Sequence, residues 1–164
     1  MTDAVGTLQP STRRLGIKPL VLSDATALAA VTDDPTIAGV IDFLPNPFTL
    51  ADAEAIIRRN DDDTECFFGV WADGRLAGVV GAHLLGVERI EIGYWIGGAF
   101  QGKGVATEAA GALITALQVK YPGRRIVAEC RPDNIKSWRV LEKLGFRPTG
   151  SAGDRPGRQL LALG

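Results

Sequence analysis

Gln101-Gly102-Lys103-Gly104-Val105-Ala106-Thr107 lies between a strand-like run, Arg89 to Ile96, and a helical run that reaches about Leu117. Two glycines let the backbone turn sharply and approach a ligand with no side chain in the way. The helix behind them presents unpaired N–H groups and a partial positive charge. Strand, glycine turn and helix N-terminus in that order make an anion-binding device, suited to a phosphate or pyrophosphate.

Upstream of this turn three strands follow in close succession. Glu65 to Trp71 and Arg75 to Leu85 are joined by Ala72-Asp73-Gly74, and Asp-Gly between apolar runs is a strong hairpin signal. Arg89 to Ile96 comes after Gly86-Val87-Glu88, so the three are expected to form an antiparallel meander. Further upstream, Arg13 to Leu22 reads as a strand that Pro19 confines to a sheet edge. Asp24 is expected to cap a helix over Ala25 to Val31, a second helical stretch is expected over Asp34 to Phe43, and Thr49 caps a third to Asn60.

Downstream, Val105, Ala109, Leu113 and Leu117 fall on one stripe of the helix after Gly104. Arg124 to Cys130 reads as a strand, and Asn134 to Leu144 as a helix closed by Gly145 as its C-cap. Phe146 onward and Gln159 to Leu163 complete a final hairpin with Pro156 and Gly157 in its loop, and a partner chain, in a homodimer, could complete the sheet there. Meander, helix, strand, helix and hairpin make an α+β fold: a mixed, mostly antiparallel central sheet flanked by helices.

The glycine turn has two rival readings. Gly102-Lys103-Gly104 supplies half of a dinucleotide-binding G-x-G-x-x-G, with Glu129 near where a ribose-binding acid belongs. Against it, position 107 is Thr, the residues Gly97 to Gln101 intervene after the strand, and the upstream strands form no β-α-β unit. A nucleotide-triphosphate P-loop fails because Gly104, not Ser or Thr, follows Lys103.

At 164 residues the chain reads as one domain with an ordinary core, and residues 1–11 as a flexible N-terminal segment. Hydrophobic residues make up 46% and charged residues 23%, and the net charge of −1 gives no support for binding nucleic acid or a membrane surface. No apolar run approaches the roughly 20 residues of a membrane span, and Met1 to Pro10 lacks the regions of a signal peptide. Cys66 and Cys130 read as buried free thiols, and no Cys/His cluster has metal-ligand spacing. A cytoplasmic protein is expected.

Gln101-x-x-Gly104-x-Ala106 resembles the pyrophosphate loop of the GNAT superfamily of acyl-CoA-dependent N-acetyltransferases, and Asn134 to Phe146 resembles that superfamily's second cofactor-contacting helix. Thr12-x-Arg14-Leu15-x-Ile17-x-Pro19-Leu20 and Glu91-Ile92-Gly93-Tyr94-Trp95-Ile96 further resemble its ribosomal-protein N-terminal acetyltransferase (RimJ/RimL-like) branch. The resemblance implies that acetyl-CoA is the acetyl donor. Its pantetheine arm would pair with Tyr94-Trp95-Ile96 like an added strand. Its pyrophosphate would rest on the N–H groups of Gly102, Lys103, Gly104, Val105, Ala106 and Thr107. Asn134 would bond the arm, cap its helix, or both. Arg131, Lys136 and Arg139 are candidates for the 3′-phosphate.

For the chemistry, N–H groups near Ile96 are candidate oxyanion donors. Many members carry a tyrosine near the end of the second helix. This chain has Leu141 there, so the resemblance assigns Ser137 to the CoA sulfur. Glu91, on the strand leading to the thioester, is the leading candidate for a base, with Glu88 and His83 as weaker ones. The acceptor, a protein or peptide N-terminal amine or else a small-molecule amine, would enter past Phe43-Leu44-Pro45-Asn46-Pro47-Phe48, with Asp61-Asp62-Asp63 as a possible attraction for a cation. A non-catalytic acetyl-CoA-binding module is the reading from another class.

Overall fold

The structure, a computed structural model, describes residues 4–38, 40–41 and 43–164. Its strands are β1 (Leu15–Pro19), β2 (Glu65–Ala72), β3 (Arg75–Leu85), β4 (Arg89–Ile96), β5 (Arg125–Cys130), β6 (Phe146–Ala152) and β7 (Gln159–Leu163). Its helices are α1 (Ala25–Thr32), α2 (Pro35–Ala38), α3 (Leu50–Arg58), α4 (Val105–Lys120) and α5 (Ile135–Leu144). The strands form one seven-stranded sheet in the order β1-β2-β3-β4-β5-β7-β6. Every pairing is antiparallel except β4 with β5, so the expected mixed, mostly antiparallel α+β sheet is present.

The meander is held where its sequence demands. Asp73 and Gly74 take φ of 51° and 77°, the doubly left-handed turn that matches strand twist and that Asp-Gly tolerates. Side chains on the strands alternate between two cores. Ile90, Ile92 and Ile96 pack with Val105, Ala109, Leu113, Leu117 and Leu141, so α4 and α5 cover one face. Phe67, Val79 and Trp95 pack with Leu28, Ala53, Ile56 and Ile57, so α1 and α3 cover the other. Leu113 and Leu117 are fully buried, and truncating either to Ala would cost about 2–5 kcal/mol.

Several local expectations change. The first strand is shorter than Arg13 to Leu22, because Pro19 cannot extend the ladder and Leu22–Asp24 winds into a 3-10 turn. Asp24 does not cap α1 with its side chain. Its carboxylate accepts instead from Val21 N–H at 2.9 Å, within that preceding turn. Of the stretch Asp34 to Phe43 only Pro35–Ala38 is helical, and Gly39 and Asp42 lie outside the described residues. Thr49 does cap α3, with Asp52 bonding back to it, but the helix ends at Arg58 and Asn60 uses its amide to tie Leu20 and Phe67. Within the N-terminal segment 1–11, expected to be flexible, Val5 is fully buried and Leu8 nearly so. Asn134 caps α5 and Gly145 closes it at φ 100°. Cys66 and Cys130 are free and buried. Among the described residues no helix is long and apolar enough to cross a membrane, and no group of His, Cys, Asp and Glu could hold a metal.

Candidate active site

The site starts from a split in the sheet. β4 and β5 pair only through Arg89–Arg125, Ile90–Ile126 and Glu91–Val127. Beyond Glu91 the strands part, and β5 continues against β7 while β4 continues against β3. The edge of Ile92–Ile96 that faces away from β3 therefore has no strand partner among the described residues. Unpaired main-chain groups on such an edge offer a ladder to an amide-bearing chain.

The edge leads straight into the glycine turn. Gly102 and Gly104 take φ of 76° and 75°, which only glycine adopts without strain. Gly104 stands at the N-cap of α4 with no side chain capping the helix, so the first N–H groups of a 16-residue helix remain open to an anion. The turn is braced from outside. Arg14 donates to the Lys103 carbonyl at 2.7 Å and to Glu108 at 2.6 Å. The Thr12 hydroxyl first, and Arg14 next, hold the Glu108 carboxyl below its ordinary value. Asp34 accepts from Gly98 N–H at 2.9 Å, and Gln101 donates to the Ile96 carbonyl at 2.9 Å and to Thr36 at 3.2 Å. Bonds from the Thr36 side chain and backbone, then from Gly98, keep Asp34 ionised below the usual carboxylate range. Gln101 thus acts through its side chain on the loop, while Lys103 is exposed and contributes its carbonyl to the brace.

Across the split lies the start of α5. Ser137 N–H donates to Asn134 Oδ1 at 3.4 Å, the cap bond expected of that asparagine. The Tyr94 hydroxyl lies 2.8 Å from Ser137 Oγ and donates to the Ser137 carbonyl at 3.2 Å. Burial pushes the Tyr94 hydroxyl up to about 12, so it stays a proton donor at any physiological pH. Leu141, where many members of the resembling family carry a tyrosine, is buried in the core. Burial also raises the Cys130 thiol, so it remains protonated beside this pair. Arg131 lies just before α5 and Lys136 and Arg139 lie on it, the last two exposed to solvent.

On the opposite face of the sheet, three rows of side chains cross β2, β3 and β4. Glu65, His83 and Glu91 make one row, Phe67, Gly81 and Gly93 the next, and Gly69, Val79 and Trp95 the third. Gly93 is exposed, and a Cβ added there would meet nothing within 4 Å. The result is a hollow over β4, with Trp95 at one end and Glu91 at the other. Phe43 stands edge-on to Trp95 at 5.9 Å, which sets the start of the Phe43-to-Phe48 loop beside that ring. Trp95 is itself fixed by donating to Thr32 at 3.0 Å. Asp62 bonds the Thr64 backbone and hydroxyl, which gives that member of the acidic run a local structural use.

Glu91 occupies the apex of the split. Both its oxygens accept from Arg155, at 3.1 and 3.2 Å, and Arg155 also reaches Glu129 at 3.5 Å. Glu129 receives the backbone N–H groups of Asp154 and Arg155. A loop between β6 and β7 is thereby latched across both arms of the split, and the carboxylate expected to act as a base is committed to a guanidinium. Nothing near position 155 in the sequence signals this partner, because β7 and β5 must first pair to bring it over. Arg14 and the Tyr94 hydroxyl were equally hidden, each some 40 to 90 positions from its partner along the chain.

The model of the acetyltransferase (GNAT) domain family matches residues 14–147. The N-acetyltransferase YnaD of Bacillus subtilis, itself uncharacterized, is 33% identical over 144 residues, covering 85% of this chain and 83% of that protein. The ribosomal-protein-serine acetyltransferase of Escherichia coli is 33% identical over 81 residues, 48% of this chain and 45% of its own. Among solved structures, RimL, a ribosomal L7/L12 alpha-N-protein acetyltransferase in complex with coenzyme A, superposes with a TM-score of 0.82 over 94% of this chain and 96% of that one. At 19% identity that likeness speaks for the fold alone. With a family model spanning most of its length and a split sheet that runs into an uncapped helix, this chain belongs to the GNAT family of acetyltransferases.

Proposed function

We propose that the protein moves the acetyl group of acetyl-CoA to a primary amine by direct attack in a ternary complex, and that the acceptor class is a protein or peptide N-terminal amine. The observation that carries the reading is the free edge of Ile92–Ile96 leading into the Gly102–Thr107 turn. An edge of main-chain donors and acceptors followed by an open helix N-terminus fits an amide-bearing arm ending in a diphosphate. When bound, acetyl-CoA supplies an acetyl carbonyl activated as a thioester.

The chain's own residues divide the remaining work. Main-chain groups of Tyr94, Trp95 and Ile96 orient the arm, and N–H groups from Gly102 to Thr107 hold the diphosphate. Arg131, Lys136 and Arg139 supply positive charge for the 3′-phosphate, and Asn134 holds the α5 end of the arm. Ser137 donates to the leaving sulfur, and the Tyr94 hydroxyl, 2.8 Å from Ser137 Oγ, holds that serine in place. Glu91, with Arg155, keeps the apex of the split closed on the acceptor side. N–H groups near Ile96 face the carbonyl oxygen as charge builds on it.

The acceptor class draws support from the E. coli relative named for a ribosomal protein serine and from the exposed hollow over Gly93, which takes a chain end without a buried pocket. An α-amine, with a pKa of roughly 7.7–8.0, is already partly neutral near pH 7. β6 lies at the sheet's edge, and pairing there between two copies, in the cytoplasm, completes this reading. Thiol release measured over peptides with varied first residues and over free polyamines, amino acids and aminoglycosides tests it. Preference for peptides is the expected result. Preference for a free amine would move the protein to small-molecule acetylation, and CoA binding without turnover on any amine would leave only a binding module.

A further inference from the structure

His83 is the only histidine of the chain, and its surroundings are more organised than a packing role needs. Its Nδ1 lies 2.8 Å from Glu65 Oε1. Glu65 in turn accepts from Arg59 Nε at 3.2 Å and Nη2 at 2.8 Å. Burial works against ionisation of Glu65, but the bonds and charge of Arg59 and His83 outweigh it and hold the carboxyl below its ordinary value. The imidazole stands edge-on to Phe67 at 5.2 Å, and Arg59 lies over the Phe67 ring at 5.0 Å. Glu65 and Phe67 therefore fix the ring, and the carboxylate selects the tautomer with hydrogen on Nδ1.

That leaves the Nε2 lone pair, which has no hydrogen-bond partner among the described residues. Its position is given by a neighbour: a Cβ on Gly81 would stand 3.4 Å from it. Gly81 pairs across the ladder with Gly93, where the face is open, and His83 pairs with Glu91, the last residue before the split. Nε2 thus sits at the rim of the hollow, next to the point where the free edge of β4 begins. The other carboxylate of the row, Glu91, is engaged by Arg155, and Tyr94 and Ser137 belong to the opposite face.

We propose that His83 Nε2 takes the proton from the acceptor amine, with Glu65 as its positioning residue. The proposal rests on the acetyl-transfer reading and deepens it. As the amine nitrogen bonds to the acetyl carbonyl carbon and the carbon–sulfur bond breaks, the surplus proton on nitrogen passes to Nε2. The departing sulfur takes a proton from Ser137, which regains one from solvent as His83 releases one. The charged groups around the ring are Glu65 and Glu91 as anions and Arg59 and Arg155 as cations, so the field is balanced apart from the direct contact with Glu65.

Nitrogen-15 NMR of the unliganded protein gives a single imidazole to read. The expected spectrum above the titration has a protonated Nδ1 and an unprotonated Nε2, and Glu65→Gln should abolish that preference. The opposite tautomer overturns the proposal without any assay of activity. In peptide acetylation, His83→Gln should lower kcat about 100-fold and remove the acid limb of the pH profile, while calorimetry shows unchanged CoA affinity. Glu65→Gln should displace that limb with a smaller loss of rate. If the wild-type protein acetylates peptides and His83→Gln keeps both its rate and its acid limb, the proposal fails and acetyl transfer stands. Wild-type protein that binds CoA but acetylates no amine takes both down.

Discussion

The glycine turn and the row of side chains across β2, β3 and β4 build recognition from opposite materials. The turn uses main-chain N–H groups that any sequence possesses, and its side-chain requirement is mostly the absence of Cβ atoms at 102 and 104. The row uses Glu65, His83 and Glu91, each held by an arginine or a carboxylate from a separate segment. A backbone site depends on local conformation and survives change in most nearby side chains. A side-chain site depends on long-range packing, so one truncation strands its partners.

The largest expected effect lies with side chains. Ser137→Ala should lower kcat about 100-fold with little change in CoA affinity, and Tyr94→Phe should cost less and add little on top of it. Additive losses in the double variant would separate the two hydroxyls. Next comes the turn: Gly104→Val forces a branched residue to φ 75°, at a cost of roughly 1–3 kcal/mol, or about 5- to 150-fold in CoA dissociation constant by calorimetry. Unchanged affinity would mean that this backbone does not hold the diphosphate.

Arg155→Ala leaves Glu91 buried without its partner. Because Arg155 is 37% exposed, the loss in chemical denaturation should fall below the buried-pair range, at about 2 kcal/mol, and Glu91→Gln in the same chain should restore part of it. Acid stability comes next. Asp34, Glu65 and Glu108 all have folded values below their ordinary ones, so the stability they add is present above about pH 4 and drains away as pH falls through the folded values. Melts between neutral pH and pH 3 should show Asp34→Asn with a shallower acid decline than wild type. The smallest effect should be Lys103→Ala, a change of less than about 5-fold in CoA affinity, since an exposed charge contributes only about 0.2–1 kcal/mol. A large loss there would overturn the view of the turn as a backbone device.

Legibility followed the same divide. Asp73-Gly74, the stripe Val105-Ala109-Leu113-Leu117, the Thr49 and Asn134 caps and the Gly145 stop were all readable, because each is decided within a few residues. Asp24 misled because its carboxylate had a nearer N–H, in the turn before the helix. Glu91 was legible as a residue of β4 and a candidate base, but its engagement by Arg155, 64 positions away, has no local signature. His83 was legible only as a weaker candidate base in an apolar strand. Its meaning came from the β2–β3 register, which sets Glu65 opposite it, and from the bare surface of Gly93 one row along.

The order of strands and helices, the glycine turn and the family were therefore determined by the amino-acid sequence alone, since periodicity, turn chemistry and backbone freedom act over short spans. Where β4 leaves β5, which carboxylates are neutralised and which imidazole nitrogen faces the hollow were decided only in the tertiary structure. Those depend on strand register and on loops returning from far along the chain, and no short segment carries that information.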